Sequence, residues 1–210
     1  MVTGFDPFGG DKINPALEAV KKLDGRKIDD IAIVAVEVPT VFHESIKAAV
    51  QAIERHQPAA VICVGQAGGR TQITPERVAI NIDDARIPDN RGNQPVDEPI
   101  VPAGPAAYWS RLPIKRMVQE MHKAGIPAAV SNTAGTFVCN HLFYGIMDYL
   151  ERRAPQIRGG FVHIPYLPEQ TLANHAPSLS LEMIVRGLEI CAVTAAHYEA
   201  DVHAAGGAIS

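Results

Sequence analysis

Two short apolar segments constrain the fold of this chain more than any other feature. Residues 31–38 and 59–64 are apolar nearly throughout, and an amphipathic helical pattern lies between them. A strand that is apolar on both faces must be covered on both sides, and strands alternating with helices through short links favour a parallel sheet. We therefore expect an α/β fold with an open, twisted, mainly parallel (mixed) sheet and helices on both faces. No Gly/Ser-rich or charge-dense linker divides the chain, which predicts a single domain over residues 1–210.

Further elements follow from similar local patterns. Asn14 followed by Pro15 is typical of a helix start, with Asn as the N-cap and Pro in the first turn. Thr40 is in position to cap the next helix. Alternating apolar and polar residues at 76–82 predict a strand with one solvated face. The remaining predicted elements are a long loop at 83–107, a helix at 112–124, a strand at 159–166 and a helix at 178–202.

Composition and charge exclude several classes of protein. A net charge of −4 gives no electrostatic reason to expect nucleic acid or an anionic membrane as a partner. No apolar run approaches the roughly 20 residues of a membrane span, and the N-terminal residues do not resemble a secretory signal. The three cysteines, Cys63, Cys139 and Cys191, are odd in number and far apart, which indicates free thiols in a reducing compartment.

Cys139 stands out from the other cysteines because of the segment SNTAGTFVCNH, residues 131–141. A short apolar strand, a small-residue turn and an amphipathic helix are predicted in succession here, with the thiol at the helix entrance. Unpaired backbone N–H groups at a helix start carry positive partial charge and favour a thiolate, which is the nucleophilic form. The alternative is a small buried hydrophobic side chain at a helix end. Cys139 and His141 are two residues apart, which does not match the usual spacing of zinc ligands.

Several polar residues are predicted to meet at one edge of the sheet. Ligands of open α/β sheets bind beyond the carboxyl ends of the strands. The candidates at these ends are Asn14, Thr40, Gln66, Cys139 and His163. This convergence predicts a binding or catalytic cleft there.

A cysteine nucleophile needs a base and usually a third group that orients the base. Of the eight histidines, His163 is the best candidate because it lies in an apolar strand next to the strand that leads to Cys139. The alternative is a core histidine bonded to the backbone. Periodicity does not choose the acidic partner, and the candidates are Asp6, Glu76, Asp83, Asp84 and Asp89.

Six sequence blocks together resemble a known family over almost the whole chain. They are TGFDPFGG (3–10) with Asn14-Pro15, VGQAGGR (64–70), ERVAIN (76–81), DARIPDNRG (84–92), SNTAGTFVCNH (131–141) and GFVHIPYLPEQ (160–170). A single glycine-rich block would be weak support, but all of them in this order are specific. The chain resembles pyroglutamyl peptidase I, also called pyrrolidone-carboxylate peptidase, a cysteine peptidase family.

The resemblance implies a cysteine exopeptidase (an omega peptidase) that removes N-terminal pyroglutamyl residues through an acyl-enzyme, without metal or cofactor. It implies Cys139 as nucleophile, His163 as base and then acid, and Glu76 as the orienting carboxylate. It also implies that Gln66 bonds the lactam through its backbone and that Arg86 lies near the catalytic centre. The implied walls of an apolar pocket are Phe5, Phe8, Thr40, Ile87, Phe137 and Val138. Family members are cytoplasmic and often homotetrameric.

One departure from the family pattern concerns the first strand. The family has several apolar residues before the Thr-Gly-Phe, whereas this sequence has only Met1 and Val2 there. We expect a shortened first strand, with consequences for stability and for the placing of Phe5.

Two other functions fit part of the same pattern. A catalytically silent α/β protein could keep the pocket as a site for a small ligand. A thiol redox protein could use Cys139, but no Cys-x-x-Cys motif is present and no other cysteine lies near it in sequence, so this is the least favoured function.

Overall fold

The computed structural model describes residues 1–207 of the chain. It contains one α/β domain, as expected, with strands and helices that alternate through the first half of the chain. In chain order the elements are β1 (Val2–Phe5), α1 (Pro15–Leu23), β2 (Lys27–Ile28), β3 (Ile31–Ala32), β4 (Ala35–Val38), α2 (Glu44–His56), β5 (Ala60–Gln66), β6 (Thr74–Pro75), β7 (Val78–Ile80), β8 (Ala107–Trp109), α3 (Ile114–Lys123), α4 (Val138–Arg153), β9 (Arg158–Ile164) and α5 (Leu181–His197).

The central sheet within residues 1–207 has the strand order β4-β1-β5-β9-β6. The pairs β4–β1, β1–β5 and β5–β9 are parallel, and only β6 runs antiparallel, against β9. The predicted mainly parallel, mixed sheet is therefore confirmed. Parallel pairing brings the carboxyl ends of β1, β5 and β9 to the same edge, where the candidate residues lie.

Two apolar cores cover the two faces of the sheet. Ile62 and Val64 of β5 face the core formed by α1, α3 and α5, whereas Val61 and Cys63 face the core that contains α2 and α4. Successive side chains of a strand point to opposite faces, so an uninterrupted apolar run serves both cores. This is the physical reason that the apolar run at residues 59–64 predicted a strand covered on both faces. Within residues 1–207, no helix has the length and apolar character needed to cross a membrane.

The first strand is short, as predicted, but it is central in the sheet. β1 has four residues, compared with seven in β5 and β9, and it bonds to β4 on one side and β5 on the other. Phe5 at its carboxyl end is buried and packs against Phe161, with ring centroids 6.4 Å apart.

The two predicted helix caps differ in outcome. The Asn14 side chain accepts a hydrogen bond from the N–H of Ala16 (3.0 Å), so the predicted start of α1 is confirmed. Thr40 does not cap α2, which begins at Glu44 after His43. Instead, the backbone N–H of Thr40 donates to Asp6 (2.6 Å), because the loop after β1 lies against this turn and supplies the acceptor.

Other differences arise where the chain leaves the main sheet. Residues 31–38 divide into β3 and β4, and β3 pairs with β2 in a separate two-stranded ribbon. The strand predicted at 76–82 is β7, which pairs with β8 outside the central sheet. The predicted C-terminal helix ends at His197, since Asp201 turns back and accepts hydrogen bonds from the first N–H groups of α3.

Candidate active site

A cleft of about 730 Å³ opens at the carboxyl edge of the sheet, between β5, β9 and the start of α4. It is bounded by the loops that follow β1 and β5, by part of the long loop after β7, and by the turn before α4. Its lining residues are Phe8, Gln66, Ala67, Gly68, Arg70, Asp84, Arg86, Ile87, Thr133, Ala134, Gly135, Thr136, Phe137, Cys139 and His163. Cys139 and His163, which are far apart in sequence, thus share one cavity.

Cys139 is the second residue of α4, as the sequence predicted for a thiol at a helix entrance. Its sulfur lies against Gly65 near the end of β5, where the Cβ atom of any larger residue would stand only 2.8 Å from Sγ and 2.8 Å from the Phe161 ring. A glycine at this position therefore leaves the space that the thiol occupies. The other two thiols, Cys63 and Cys191, are fully buried in the two cores.

His163 forms a buried hydrogen bond with Glu76. The Nδ1 atom of His163 lies 2.7 Å from Oε1 of Glu76, and the two side chains are 4% and 0% exposed. β6 places the carboxylate there, because its antiparallel pairing with β9 sets Thr74 opposite His163 and brings Glu76 alongside β9. Among the five acidic residues that the sequence left open, Glu76 is the one that contacts this histidine.

The remaining acidic candidates have other partners. Asp6 accepts from Thr40, and Asp89 accepts from the backbone N–H groups of Phe42 and its own loop. Asp83 pairs with His141, and Asp84 lies on the cleft rim with its backbone bonded to Thr136.

Burial keeps both the thiol and the imidazole in their neutral forms. Burial and the nearby charge of Glu76 raise the pKa of Cys139 to about 12, although Arg70 acts the other way. Burial also lowers the pKa of His163, despite the opposing effect of Glu76. The substrate-free site therefore holds a neutral thiol beside a neutral imidazole. This differs from the sequence-based expectation of a favoured thiolate, because burial outweighs the other influences on the thiol.

Glu76 itself is ionised. Burial alone would raise its pKa, but the hydrogen bond and the electrostatic interaction with His163, together with the charge of Arg70, hold the pKa of Glu76 below its usual value. A carboxylate that accepts from Nδ1 keeps the hydrogen of a neutral imidazole on that nitrogen. Nε2 is then left as the acceptor that can take a proton.

Arg70 is a member of this cluster that sequence reasoning did not identify. Its Nη1 atom donates to Oε1 of Glu76 (2.6 Å) and to the Thr74 hydroxyl, and Nη2 donates to the carbonyl of Thr133 (3.0 Å). The available signal was its position at the end of VGQAGGR, directly beyond the carboxyl end of a predicted strand.

Five of the nine predicted binding residues line the cleft, namely Phe8, Gln66, Arg86, Ile87 and Phe137. Phe8 and Phe137 form a pair of aromatic walls with centroids 6.2 Å apart, and Phe42 packs edge-on behind Phe137 at 5.5 Å. Phe42 was not predicted from the sequence.

The other four predicted binding residues are absent from the cleft lining. Phe5 and Val138 are 2% and 1% exposed and belong to the core beneath the cleft. Asn14 caps α1 and donates to the carbonyl of Asp6, and the Thr40 hydroxyl donates to the same carbonyl. Asn14 and Thr40 therefore hold the loop that carries Phe8, and their polar side-chain groups are already hydrogen-bonded there.

A second histidine–carboxylate pair lies behind the cleft. His141 is fully buried, its Nδ1 atom is 2.7 Å from Oδ2 of Asp83, and its Nε2 atom accepts from the backbone N–H of His43 (2.8 Å). Because Nε2 accepts, the ring hydrogen is on Nδ1. The pair joins the start of α4 to the long loop after β7, and the sequence prediction that His141 does not share the direction of Cys139 agrees with this position.

Comparisons with known proteins agree on one family. The sequence profile described as pyroglutamyl peptidase matches residues 1–198. The chain is 63% identical to a pyrrolidone-carboxylate peptidase of Bacillus velezensis over 207 residues, which cover 99% of this chain and 96% of the relative. It is 60% identical to a protein of the same name from Vibrio parahaemolyticus over 209 residues, or 100% and 98% of the two chains.

Solved structures of similar sequence have the same fold. The crystal structure of pyroglutamyl peptidase I from Bacillus amyloliquefaciens superimposes with a TM-score of 0.96 at 63% identity, over 97% of each chain. A variant of the pyrrolidone carboxyl peptidase from the hyperthermophile Pyrococcus furiosus gives a TM-score of 0.90 at 42% identity, over 92% of this chain and 96% of that one.

Proposed function

The chain belongs to the pyroglutamyl peptidase family, and we propose that it hydrolyses the bond that follows an N-terminal pyroglutamyl residue in peptides. Cys139 acts as the nucleophile, His163 as the base and then the acid, and Glu76 as the group that orients and stabilises His163. The observation that carries this proposal is the arrangement of the three side chains. Cys139 and His163 line one cleft, and Nδ1 of His163 lies 2.7 Å from Glu76.

The neutral thiol and imidazole define the first chemical step. His163 takes the proton from Sγ through Nε2 as the sulfur attacks the pyroglutamyl carbonyl carbon. The resulting imidazolium is stabilised by the Glu76 carboxylate, and it then protonates the departing amine. Water, deprotonated by His163, releases pyroglutamate from the thioester and restores the thiol.

The start of α4 is suited to stabilise the oxyanion of the tetrahedral intermediate. The first N–H groups of a helix have no carbonyl within the helix to bond, and here they flank Cys139. Phe137 at the N-cap provides no side-chain acceptor for them. They are therefore available to an oxygen that develops negative charge beside Sγ.

The cleft also fits the chemistry of the pyroglutamyl group. This group is a small neutral ring with one lactam face and no free amine, so it requires an apolar slot with few polar partners. Phe8, Phe137 and Ile87 supply apolar walls, and Gln66 lies at the end of β5 where backbone groups leave the ladder. We propose that Gln66 bonds the lactam through its backbone and that Arg86 lies beside the bound peptide.

A comparison of three fluorogenic amides tests the substrate directly. We expect the pyroglutamyl amide to be cleaved about 10²-fold or more faster than the prolyl and glutaminyl amides, since both of these carry an amine that an apolar slot does not accommodate. Initial rates on the purified chain provide the measurement. Equal rates on all three amides, or no hydrolysis of the first, would contradict the proposed function.

The pH dependence of the reaction follows from the two pKa shifts. The reactive form has neutral His163, whose pKa is lowered from 6.5, so kcat/KM should fall as the pH drops through a value below 6.5. The raised pKa of Cys139, about 12, means that ionisation of the thiol causes no loss of activity on the alkaline side up to about pH 9. A kcat/KM profile from about pH 4.5 to 9 measures the acid limb and tests for the absence of an alkaline one. A bell shape with an alkaline midpoint near neutrality would instead indicate a thiolate–imidazolium pair.

We propose in addition that the protein is cytoplasmic and forms a homo-oligomer, with a tetramer as the expected state. The free thiols of Cys63, Cys139 and Cys191 support a reducing compartment, and the family resemblance supports the tetramer. Light scattering coupled to size-exclusion chromatography tests the assembly, and a monomer at micromolar concentration would contradict it.

A further inference from the structure

Arg70 connects two parts of the site that are distant in sequence. Nη1 donates to Glu76 (2.6 Å), and Nη2 donates to the carbonyl of Thr133 (3.0 Å) in the turn that leads to Cys139. A guanidinium has several donors in a fixed plane and can serve both acceptors at once. One side chain therefore holds both the carboxylate and the turn before the nucleophile.

The ion pair differs from an ordinary surface salt bridge. Glu76 is 0% exposed and Arg70 is 26% exposed, so the pair is shielded from most of the solvent. Exposed pairs contribute little because water and salt screen them, whereas buried charges act on their neighbours with less screening. The same carboxylate oxygen, Oε1, receives both Arg70 and His163.

Because Arg70 and His163 share this oxygen, the positive charge of Arg70 acts on both Glu76 and His163. A cation beside Glu76 offsets part of the negative charge that would otherwise favour protonation of His163. Arg70 lowers the pKa of His163, of Glu76 and of Cys139 alike. The effects on His163 and Cys139 favour an unprotonated imidazole and an easier loss of the thiol proton.

We propose that Arg70 is a positioning residue of the active site, which fixes Glu76 and the turn before Cys139 in one arrangement and limits how strongly Glu76 draws a proton to His163. The inference rests on the proposed roles of Cys139, His163 and Glu76. It adds a residue that acts through Glu76 rather than on the substrate.

The test measures the pH dependence of Cys139 alkylation by iodoacetamide, followed by peptide mass spectrometry. Alkylation requires no peptide substrate, and Cys63 and Cys191 are fully buried. In Arg70→Gln, which removes the charge, we expect the acid midpoint of alkylation to rise by about 0.5–1 pH unit because His163 becomes more basic. The kcat/KM profile on the pyroglutamyl amide should shift in the same direction.

Arg70→Lys separates the charge from the geometry. Lysine retains the positive charge but cannot reach Glu76 and Thr133 with one planar group. We expect the acid midpoint to remain within about 0.3 pH unit of the original, while kcat/KM falls about tenfold through loss of alignment. This variant also provides the test if Arg70→Gln does not fold, since a wild-type kcat/KM in Arg70→Lys would contradict the positioning role.

Arg77→Gln is the matched control. Arg77 is similarly half-buried and binds the same turn, with Nε donating to Asn132 (2.8 Å), but its side chain forms no hydrogen bond or ion pair with Glu76. A general loosening of the turn would affect both glutamine variants, whereas a shifted midpoint is expected only for Arg70→Gln. Equal midpoints in the two variants would overturn the inference.

The two proposals fail in different ways. If the chain does not hydrolyse the pyroglutamyl amide but Arg70→Gln still shifts the alkylation profile, the proposed function is wrong and the link between Arg70 and His163 holds. If the amide is hydrolysed and no shift occurs, only the inference about Arg70 is wrong.

Discussion

Replacement of Cys139 by alanine is expected to lower kcat/KM on the pyroglutamyl amide by about 10⁴-fold or more. The substitution removes the atom proposed to form the thioester, and no other thiol reaches the cleft, since Cys63 and Cys191 are fully buried. Binding of the amide should persist, because the walls formed by Phe8 and Phe137 are unchanged. Initial rates measure the loss of activity. Competition by the product, pyroglutamate, for the cleft of the variant measures the retained binding.

Cys191→Ala is the control for this substitution. Cys191 lies in the core between α5 and the sheet, on the opposite face from the core that contains α4. Its replacement should cost roughly 1–2 kcal/mol of stability through a small cavity and leave kcat/KM within about twofold. If Cys139→Ala retained more than about a tenth of the activity, Cys139 would not be the nucleophile.

His163→Gln is expected to lower kcat/KM by about 10³-fold. Glutamine has a similar length and its amide can still donate to Glu76, so the buried carboxylate keeps a partner. It cannot accept the thiol proton, however, and the resting thiol has a pKa raised to about 12. The attacking sulfur would then have no base to take its proton. Alkylation of Cys139 at neutral pH should fall together with the hydrolysis rate.

His56→Ala serves as the corresponding histidine control, because His56 is exposed at the end of α2 and is not part of the cleft lining. Thermal unfolding of each variant separates loss of chemistry from loss of fold. A His163→Gln enzyme that turned over the amide at the wild-type rate would exclude His163 as the base. The double variant Cys139→Ala/His163→Gln should be no less active than Cys139→Ala, since residues that act as a unit are not additive.

The geometry explains why these side chains depend on one another. Gly65 makes room for the sulfur, Phe161 packs against the His163 ring at 4.7 Å, and Glu76 is fixed by both His163 and Arg70. Under the proposed mechanism, the neutral thiol–imidazole pair makes proton transfer part of the attack itself. We therefore expect substitutions around His163 to change the rate as directly as substitutions of the nucleophile.

Local patterns predicted the parts of this protein whose signals are local. Uninterrupted apolar runs indicated buried strands, and Asn14-Pro15 indicated the start of α1. The turn and helix around Cys139 were evident from small residues followed by an amphipathic segment. Thr40 was assigned incorrectly because α2 begins only at Glu44, and the Thr40 hydroxyl donates instead to the carbonyl of Asp6 in another loop.

Which side chains line the cleft was harder to predict from the sequence. Phe5 and Val138 are adjacent in sequence or structure to wall residues, but they point into the core. Phe42 supports Phe137 from a distant segment of the chain, which no periodicity indicates. Such contacts depend on how loops pack over the sheet edge, and loop packing has no repeat that a sequence displays.

The sequence by itself determined the α/β class, the thiol at a helix start and the histidine near the end of a strand, because each depends on residues close together in the chain. Local patterns left five carboxylates open and the family resemblance implied Glu76, but only the tertiary structure shows how that carboxylate meets the histidine. Glu76 is 87 residues from His163 and reaches it because the two-residue strand β6 pairs antiparallel with β9. That pairing is a long-range hydrogen-bonded ladder, which no local pattern encodes.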